Sequence, residues 1–254
     1  MYAKVALEIV DAPRSREQSA ETLYDRYNRD FRCLIADTPD LLRQAYETRY
    51  QVYCVENEFE NPQQHSDRCE VDEFDIRSAH SVLAFRPTGE TIGTVRLVLP
   101  QSDAPLSFSL QHIVDYYGGR DLPVPLAATA EVSRFSISKR ARPGRNGAID
   151  IRTAFNQPAL RRAEPLMSLG LIQGLVRMSQ LHHITHWCAV MEPKLLRMLA
   201  AMGIHFTPVG ALMDYHGMRQ LCYCEVDAIL DSVKRERPSF WDILTDNGLL
   251  LPAP

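Results

Sequence analysis

Charged residues in apolar, strand-like segments are the feature of this sequence that could do chemistry. Arg96 lies within residues 93–99, and Glu131 and Arg134 lie within residues 130–137. A charge in a buried strand costs several kcal/mol unless it is paired. These side chains therefore either pair into a network that stabilises the fold or line a polar cleft that carries out a reaction.

Glu131 and Arg134 stand three residues apart, which places them on opposite faces of a regular strand. A β-bulge at Val132 and Ser133 would return both side chains to one face, and bulges are common beside active sites. The alternative is a simple surface ion pair. The spacing alone leaves both interpretations open.

Two aspartates and a second arginine extend this set. Arg49 lies on or beside the apolar stripe of a helix predicted to begin at Pro39. Asp72 and Asp75 precede a predicted strand, where acidic residues are most often solvated loop residues or caps. They either pair with Arg49 and Arg96 or bind an ammonium group of a substrate.

The elements that must position these residues alternate between helix and strand. Strands are predicted at residues 31–36, 80–85, 90–98, 128–137 and 185–190, with one or two more in 209–226. Helices are predicted at residues 15–30, 39–53, 158–181, 192–202 and 227–234. Gly89 supplies the positive φ that a tight hairpin turn needs. The pattern predicts an α/β (α+β) fold in which helices flank a mixed sheet.

Composition favours a single domain over residues 1–254, with an accessory helix at 15–30 and a C-terminal tail at 235–254. The hydrophobic fraction is 45% and there is no linker or repeat. A net charge of -4 gives no basic excess for nucleic acid. With no signal peptide, no apolar run of roughly 18 residues and six cysteines, a cytoplasmic protein with reduced thiols is expected. Peripheral membrane contact stays open.

The order of the charged motifs resembles the autoinducer synthase family. The motifs are Arg-x-x-x-Tyr, Asp-x-x-Asp, Gly-x-x-Arg entering a strand, and Glu-x-x-Arg-Phe, between residues 40 and 140. Those enzymes make N-acyl homoserine lactones on a fold like that of the GCN5-related N-acetyltransferases (GNAT). The resemblance implies that the active-site cleft is formed by Arg49, Tyr53, Asp72, Asp75, Arg96, Glu131 and Arg134. Phe59 stands at the position where the family usually has Trp.

The long middle of the chain, residues 101–129, and the Arg- and Gly-containing segment that follows depart from that family. They resemble the related long-chain N-acyl amino acid synthases, including acyltransferases of the PEP-CTERM/exosortase system. This implies transfer of a fatty acyl group from acyl carrier protein to the α-amine of an amino acid. The alternatives are an N-acyl homoserine lactone synthase that uses S-adenosylmethionine, and a non-catalytic lipid- or carrier-binding module on the same fold.

Acyl transfer from a thioester to an amine needs a deprotonated amine, a positioned carbonyl and stabilisation of the developing oxyanion. Glu131 is the expected base, acting through a water, and Arg134 is expected to orient it. A structural Glu131–Arg134 pair is the alternative. Substrate binding is expected of Arg49, Tyr53, Phe59, Asp72, Asp75 and Arg96.

The segment after Ile137 is a poor match to the Gly-rich loop that cradles a diphosphate at a helix start. It is rich in basic residues, which suit docking of an acidic carrier protein, although scattered arginines on a solvated loop would look the same. The donor is therefore expected to be acyl-phosphopantetheine on acyl carrier protein, with no tightly bound cofactor. The docking residues are Lys139, Arg140, Arg142, Arg145, Arg152, Arg161 and Arg162.

Other reactive side chains are expected to be structural. The histidines and Cys188 in residues 182–188 lack the spacing of a metal site, so no metal is predicted. Cys222 and Cys224 alternate along a strand and are expected to be buried thiols. The methionines of the predicted helices belong to the core or to a flexible acyl tunnel: Met167, Met178, Met198 and Met202.

Overall fold

The computed structural model describes residues 21–101, 124–139, 163–214 and 217–251. Within them a seven-stranded mixed sheet has the order β1-β2-β3-β4-β5-β7-β6. Neighbouring strands are antiparallel except for the parallel pair β4 and β5. The strands are β1 (Phe31–Ile35), β2 (Ser78–Phe85), β3 (Glu90–Val98), β4 (Thr129–Ile137), β5 (His186–Met191), β6 (Thr207–Asp214) and β7 (Met218–Glu225).

Helices flank this sheet, as the sequence predicts. They are α1 (Leu23–Asp30), α2 (Pro39–Tyr50), α3 (Ala163–Leu181), α4 (Pro193–Ala201), α5 (Val226–Glu236) and α6 (Pro238–Leu244), with a π-helix at Gln51–Glu56 and short 3₁₀ turns at Pro62–Gln64, Glu73–Arg77 and Leu126–Ala128. Helix α2 begins as expected, because the Thr38 side chain accepts a hydrogen bond from Leu41 N and Pro39 takes the first position. The mixed sheet flanked by helices confirms the predicted fold class.

Three predicted elements differ in extent. The first helix covers only Leu23–Asp30, and the residues before 21 lie outside the described residues. The helix that starts at Pro39 continues beyond Tyr50 as the π-helix rather than as regular α-helix. In residues 235–254, where the sequence predicts only a tail, helix α6 packs Ile243 and Leu244 into the core.

The core lies between the sheet and α3, whose small residues allow a close approach. Gly174 faces Ser81 of β2, where a Cβ would come within 2.4 Å of the serine Oγ. Gly170 faces Leu83 in the same way, at 2.6 Å from its Cδ1. Helix α2 covers the opposite face of β2 and β3. The face beneath α2 carries the charged residues of the candidate site.

The open side of the edge strand β1 is occupied by arginine side chains. Alternate residues of β1 pair with β2, so the carbonyls of Phe31 and Cys33 point away from the sheet. Arg86 Nε donates to Phe31 O at 2.9 Å, and Arg177 Nη1 donates to Cys33 O at 3.2 Å. Two of the outward carbonyls of β1, those of Phe31 and Cys33, therefore already have a hydrogen-bond donor.

Among the residues that the structure describes, no helix is long and apolar enough to span a bilayer.

Candidate active site

Four of the predicted site residues meet in a buried ion-pair network. Arg49 Nη1 donates to Asp75 Oδ1 at 2.6 Å, and Arg96 Nη1 donates to the same oxygen at 2.9 Å and to Asp72 Oδ1 at 2.5 Å. The side chains of Arg49 and Arg96 are fully buried. Of the two alternatives left open by the sequence, pairing among these residues is the one that the structure shows.

Local structure explains how these charges come together. Asp72 caps the 3₁₀ turn Glu73–Arg77: its side chain accepts from Phe74 N, and the Asp75 side chain reaches back to accept from Asp72 N at 2.7 Å. Arg49 lies on the buried side of α2, just before the π-helix continues the chain. The capped turn thus holds both carboxylates against α2 and β3.

Glu70 is a member of this network that sequence reasoning missed. It is buried and accepts hydrogen bonds from Arg49 Nε and from Arg134 Nη2, the latter at 2.9 Å. Burial alone would raise the pKa of Glu70, but the hydrogen bonds from Arg134 and Arg49 outweigh it and hold the pKa at about 2. The sequence did contain a signal for this role: Glu70 lies two residues before Asp72, and in an extended segment residues two apart lie on the same side.

Arg134 is placed by a β-bulge, although not at the predicted position. The register between β3 and β4 shifts opposite the stretch from Thr94 to Arg96, and Arg134 has a φ of 50°. The bulge therefore lies at Arg134 itself rather than at Val132 and Ser133. It turns the guanidinium toward the ion-pair network.

The expected role of Arg134 as the partner that orients Glu131 needs correction. Its guanidinium donates instead to Glu70 and, through Nη2, to Asp72 at 3.0 Å. It also stacks on Tyr53, with its Cζ 5.0 Å from the ring centroid. These acids raise the pKa of Arg134 despite its burial. Arg134 thus links the network to the π-helix that carries Tyr53.

Glu131 lies where two strands part. It faces Val98 of β3, two residues beyond Arg96, so the two charged side chains project from the same face of the sheet. On its other side it is the last β4 residue in register with β5, opposite Cys188. The side chain is 1% exposed. An acid is therefore held inside the sheet at the start of the divergence.

Beyond Glu131 the parallel strands diverge and enclose a cavity of about 550 Å³. Residues 132–137 of β4 continue against β3, while β5 continues against β7. Tyr53 and Phe59, both predicted to bind substrate, line the cavity. The wall is mostly apolar and includes Val132, Phe135, Ile172, Leu175, Leu195, Met198 and Phe206. Of the predicted helix methionines, Met198 lines this cavity, whereas Met167, Met178 and Met202 are in the core.

The end of β4 gives the cavity a polar rim. Glu56 accepts hydrogen bonds from Ser138 Oγ at 2.7 Å and from Lys139 N at 2.8 Å. Lys139 Nζ in turn donates to Glu56 O and to Asn57 Oδ1. Lys139 belongs to the predicted docking surface. Its other members lie outside the described residues: Arg140, Arg142, Arg145, Arg152, Arg161 and Arg162.

A histidine and the thiols complete the set of buried reactive groups. His80 lies beside the network, with Nε2 3.5 Å from Asp75 Oδ1, and burial lowers its pKa to about 4. Cys222 and Cys224 are buried, as predicted, and none of the cysteines forms a disulfide. Within the described residues there is no cluster of three or more His, Cys, Asp or Glu that could hold a metal ion.

Comparisons with known proteins agree with this fold. Residues 48–149 match the family described as "Acetyltransferase (GNAT) domain". No curated protein matches the sequence. One similar solved structure is that of BjaI, a CoA-dependent acyl-homoserine lactone synthase, with MTA; the TM-score is 0.57 and the identity 17%, over 85% of this chain and 88% of that chain. A second is TofI in a ternary complex with an inhibitor and MTA, with a TM-score of 0.57 and 17% identity over 83% of this chain and 96% of that chain. A third is MesI, a CoA-dependent acyl-homoserine lactone synthase, with a TM-score of 0.52 and 16% identity over 88% of this chain and 97% of that chain. At these identities the similarity concerns the fold, and the chain has a GNAT-like fold.

Proposed function

We propose that this protein is an N-acyltransferase that moves a long-chain fatty acyl group from acyl carrier protein to the α-amine of an amino acid. The observation that carries the proposal is the divergence of β4 and β5 immediately after the buried Glu131. The divergence opens a mostly apolar cavity whose lining on β4 begins at Val132, the residue that follows this acid. A thioester chain and a proton acceptor are the two things that amide formation must bring together.

In the proposed reaction the acceptor nitrogen attacks the thioester carbonyl carbon. The N–C bond forms, the C–S bond breaks, the amine loses a proton to Glu131 through a water, and the leaving sulfur takes up a proton to become a thiol. Along residues 132–137 the backbone groups of β4 on the β5 side meet no strand partner within the part of the chain that the structure describes. They are therefore available to hydrogen-bond an extended donor arm and to orient its carbonyl. No tightly bound cofactor is needed.

The ion-pair network would support this site without reacting. Its arginines and carboxylates are engaged with one another, and Arg49, Asp75 and Arg96 are buried. Through Arg134 the network holds Tyr53 at the cavity wall. We propose that it fixes the shape of the cleft, while Tyr53, Phe59 and the wall residues contact the donor.

The second candidate is acyl-homoserine lactone synthesis from S-adenosylmethionine. It is favoured by the likeness to BjaI, which is described as an acyl-homoserine lactone synthase. BjaI and MesI are also described as CoA-dependent, so coenzyme A is an alternative donor carrier. The placement in the PEP-CTERM/exosortase-associated branch rests on the motif resemblance alone.

The test is to incubate the protein with acyl-loaded carrier protein, a mixture of amino acids and S-adenosylmethionine, and to identify products by mass spectrometry. An acyl amino acid supports the proposal, and an acyl lactone supports the second candidate. Binding of the acyl carrier without any product would instead indicate a non-catalytic binding module.

Glu131→Gln tests the proposed base. We expect product formation to fall by about 10²–10⁴-fold, the usual contribution of general base catalysis, while the circular dichroism spectrum is unchanged. Glu225→Gln, which neutralises an exposed acid at the end of β7, is the matched control and keeps full activity. Unchanged turnover in Glu131→Gln would eliminate Glu131 as the base.

A further inference from the structure

An acid of the chain itself occupies the hydrogen-bond donors at the end of β4. Glu56 Oε1 accepts from Ser138 Oγ at 2.7 Å and Oε2 accepts from Lys139 N at 2.8 Å. Exposed backbone N–H groups and a neighbouring lysine are groups with which proteins bind phosphate. Here a carboxylate takes the place that an anionic ligand would need.

Two of the cations that line the cavity, Lys139 and Arg134, are held by hydrogen bonds. Lys139 Nζ donates to Glu56 O at 2.7 Å and to Asn57 Oδ1 at 2.6 Å. Arg134, which also lines the cavity, is bound by Glu70 and Asp72. The charge of Arg134 is therefore compensated by acids, whereas the Lys139 ammonium keeps its charge and is held at the segment that carries Glu56.

The rim lies at the distance that the charged end of a thioester donor would reach. From Glu131 to the end of β4 at Ile137 the strand spans at most about 20 Å, at roughly 3.3 Å per strand residue, and Ser138 and Lys139 follow directly. An extended pantetheine arm has a comparable length. A donor whose thioester lies beside Glu131 and whose arm follows β4 therefore places its phosphate end near Glu56.

We propose that Glu56 is a specificity-determining residue that disfavours coenzyme A as the donor. Coenzyme A brings a diphosphate and a ribose phosphate to this rim, whereas the arm on a carrier protein brings a single phosphodiester. The carboxylate therefore opposes the first donor far more than the second. This inference rests on the proposed function, because it requires a thioester donor in this cavity.

The experiment compares three donors that carry the same acyl group: acyl-coenzyme A, acyl-pantetheine and acyl carrier protein. The key quantity is the ratio of kcat/KM for acyl-coenzyme A to kcat/KM for acyl-pantetheine, because these donors share the arm and differ in the phosphates. In Glu56→Gln we expect this ratio to rise by about tenfold, since one like charge is removed. A merely structural role would change both donors equally.

Glu58→Gln is the matched control. Glu58 is exposed, lies two residues away, and is outside the cavity lining, so its removal changes the net charge by the same amount without affecting the rim. We expect its donor ratio to equal that of the wild type. An equal rise in both variants would mean that net charge alone sets the ratio and would overturn the proposal.

A second measurement needs no variant. Raising salt from about 0.01 M to about 1 M shortens the screening length from about 30 Å to about 3 Å, so the wild-type ratio should rise. A constant ratio both in wild type over this salt range and in Glu56→Gln would overturn the proposal. Failure of the wild type to form amide from any of the three donors would instead overturn the proposed function.

Discussion

Arg49 is the residue on which the buried charges depend most directly. Its fully buried guanidinium bonds two carboxylates that are themselves buried, Glu70 and Asp75. Removing one partner of such a network leaves uncompensated charge in the interior, which is far more costly than losing a surface pair. The arginine therefore stabilises the fold whether or not it contributes to catalysis.

We expect Arg49→Met to lower the free energy of unfolding by about 3–5 kcal/mol, measured by urea denaturation. Arg43→Met is the control: Arg43 pairs with Glu47 on the exposed face of α2, where an i,i+4 pair contributes at most about 0.5 kcal/mol. If the two variants lost similar stability, the network would not be a principal stabilising element.

His80 makes stability depend on pH. Burial lowers its pKa from 6.5 to about 4, with the neighbouring arginines opposing protonation and Asp75 favouring it. The unfolded chain therefore binds a proton that the folded chain does not, and stability falls as pH drops from about 6.5 to about 4. We expect His80→Gln to reduce this pH-dependent loss in the free energy of unfolding by up to about 3 kcal/mol, measured by urea denaturation at pH 7 and pH 4.5. Parallel pH profiles for both proteins would contradict this expectation.

The cost of burying an unpaired charge singled out Arg96 from the sequence, whereas Arg49, Asp72 and Asp75 were assigned to the same cleft by the order of the motifs. It could not assign the partner of Arg134. That choice depends on where the chain adds a bulge residue, and the bulge lies at Arg134 itself. A shift of one residue in a strand exchanges the faces of all the side chains beyond it.

At the scale of elements, the close contact between α3 and β2 depends on Gly174, which has no side chain. A Cβ at Gly174 would lie 2.4 Å from Ser81 Oγ and 2.7 Å from its Cβ. We expect Gly174→Ala to lower the free energy of unfolding by about 1–2 kcal/mol, because the overpacking outweighs the better helix propensity of alanine. Thermal denaturation measures this, and a stabilised variant would show that α3 shifts without cost.

Elements with a local chemical cause were predictable from the sequence, and those without one were not. Pro39 and the Thr38 cap determine the start of α2, and Gly89, at a φ of 72°, determines the hairpin. The π-helix Gln51–Glu56 continues α2 without any breaking residue. Helix α6 has only 7 residues, which is too short to display a period, and its burial against α3 is a tertiary effect.

At the scale of the whole molecule, the thiols report on global unfolding. All six cysteines are buried and unpaired in disulfides, and burial raises the pKa of each thiol, to about 11 for Cys33 and about 12 for Cys222. The thiolate is the reactive form, so we expect little reaction with a thiol reagent in the native state and reaction of all six in denaturant. Rapid labelling of the native protein would contradict this expectation.

The arginines beside β1 have a consequence for how copies of this protein meet. A strand that paired with Phe31 and Cys33 at this edge would have to displace Arg86 from Phe31 O and Arg177 from Cys33 O. An incoming backbone N–H would replace bonds that already exist instead of satisfying open carbonyls. At high concentration, as in a crowded cell, this edge of the sheet therefore resists strand-to-strand aggregation.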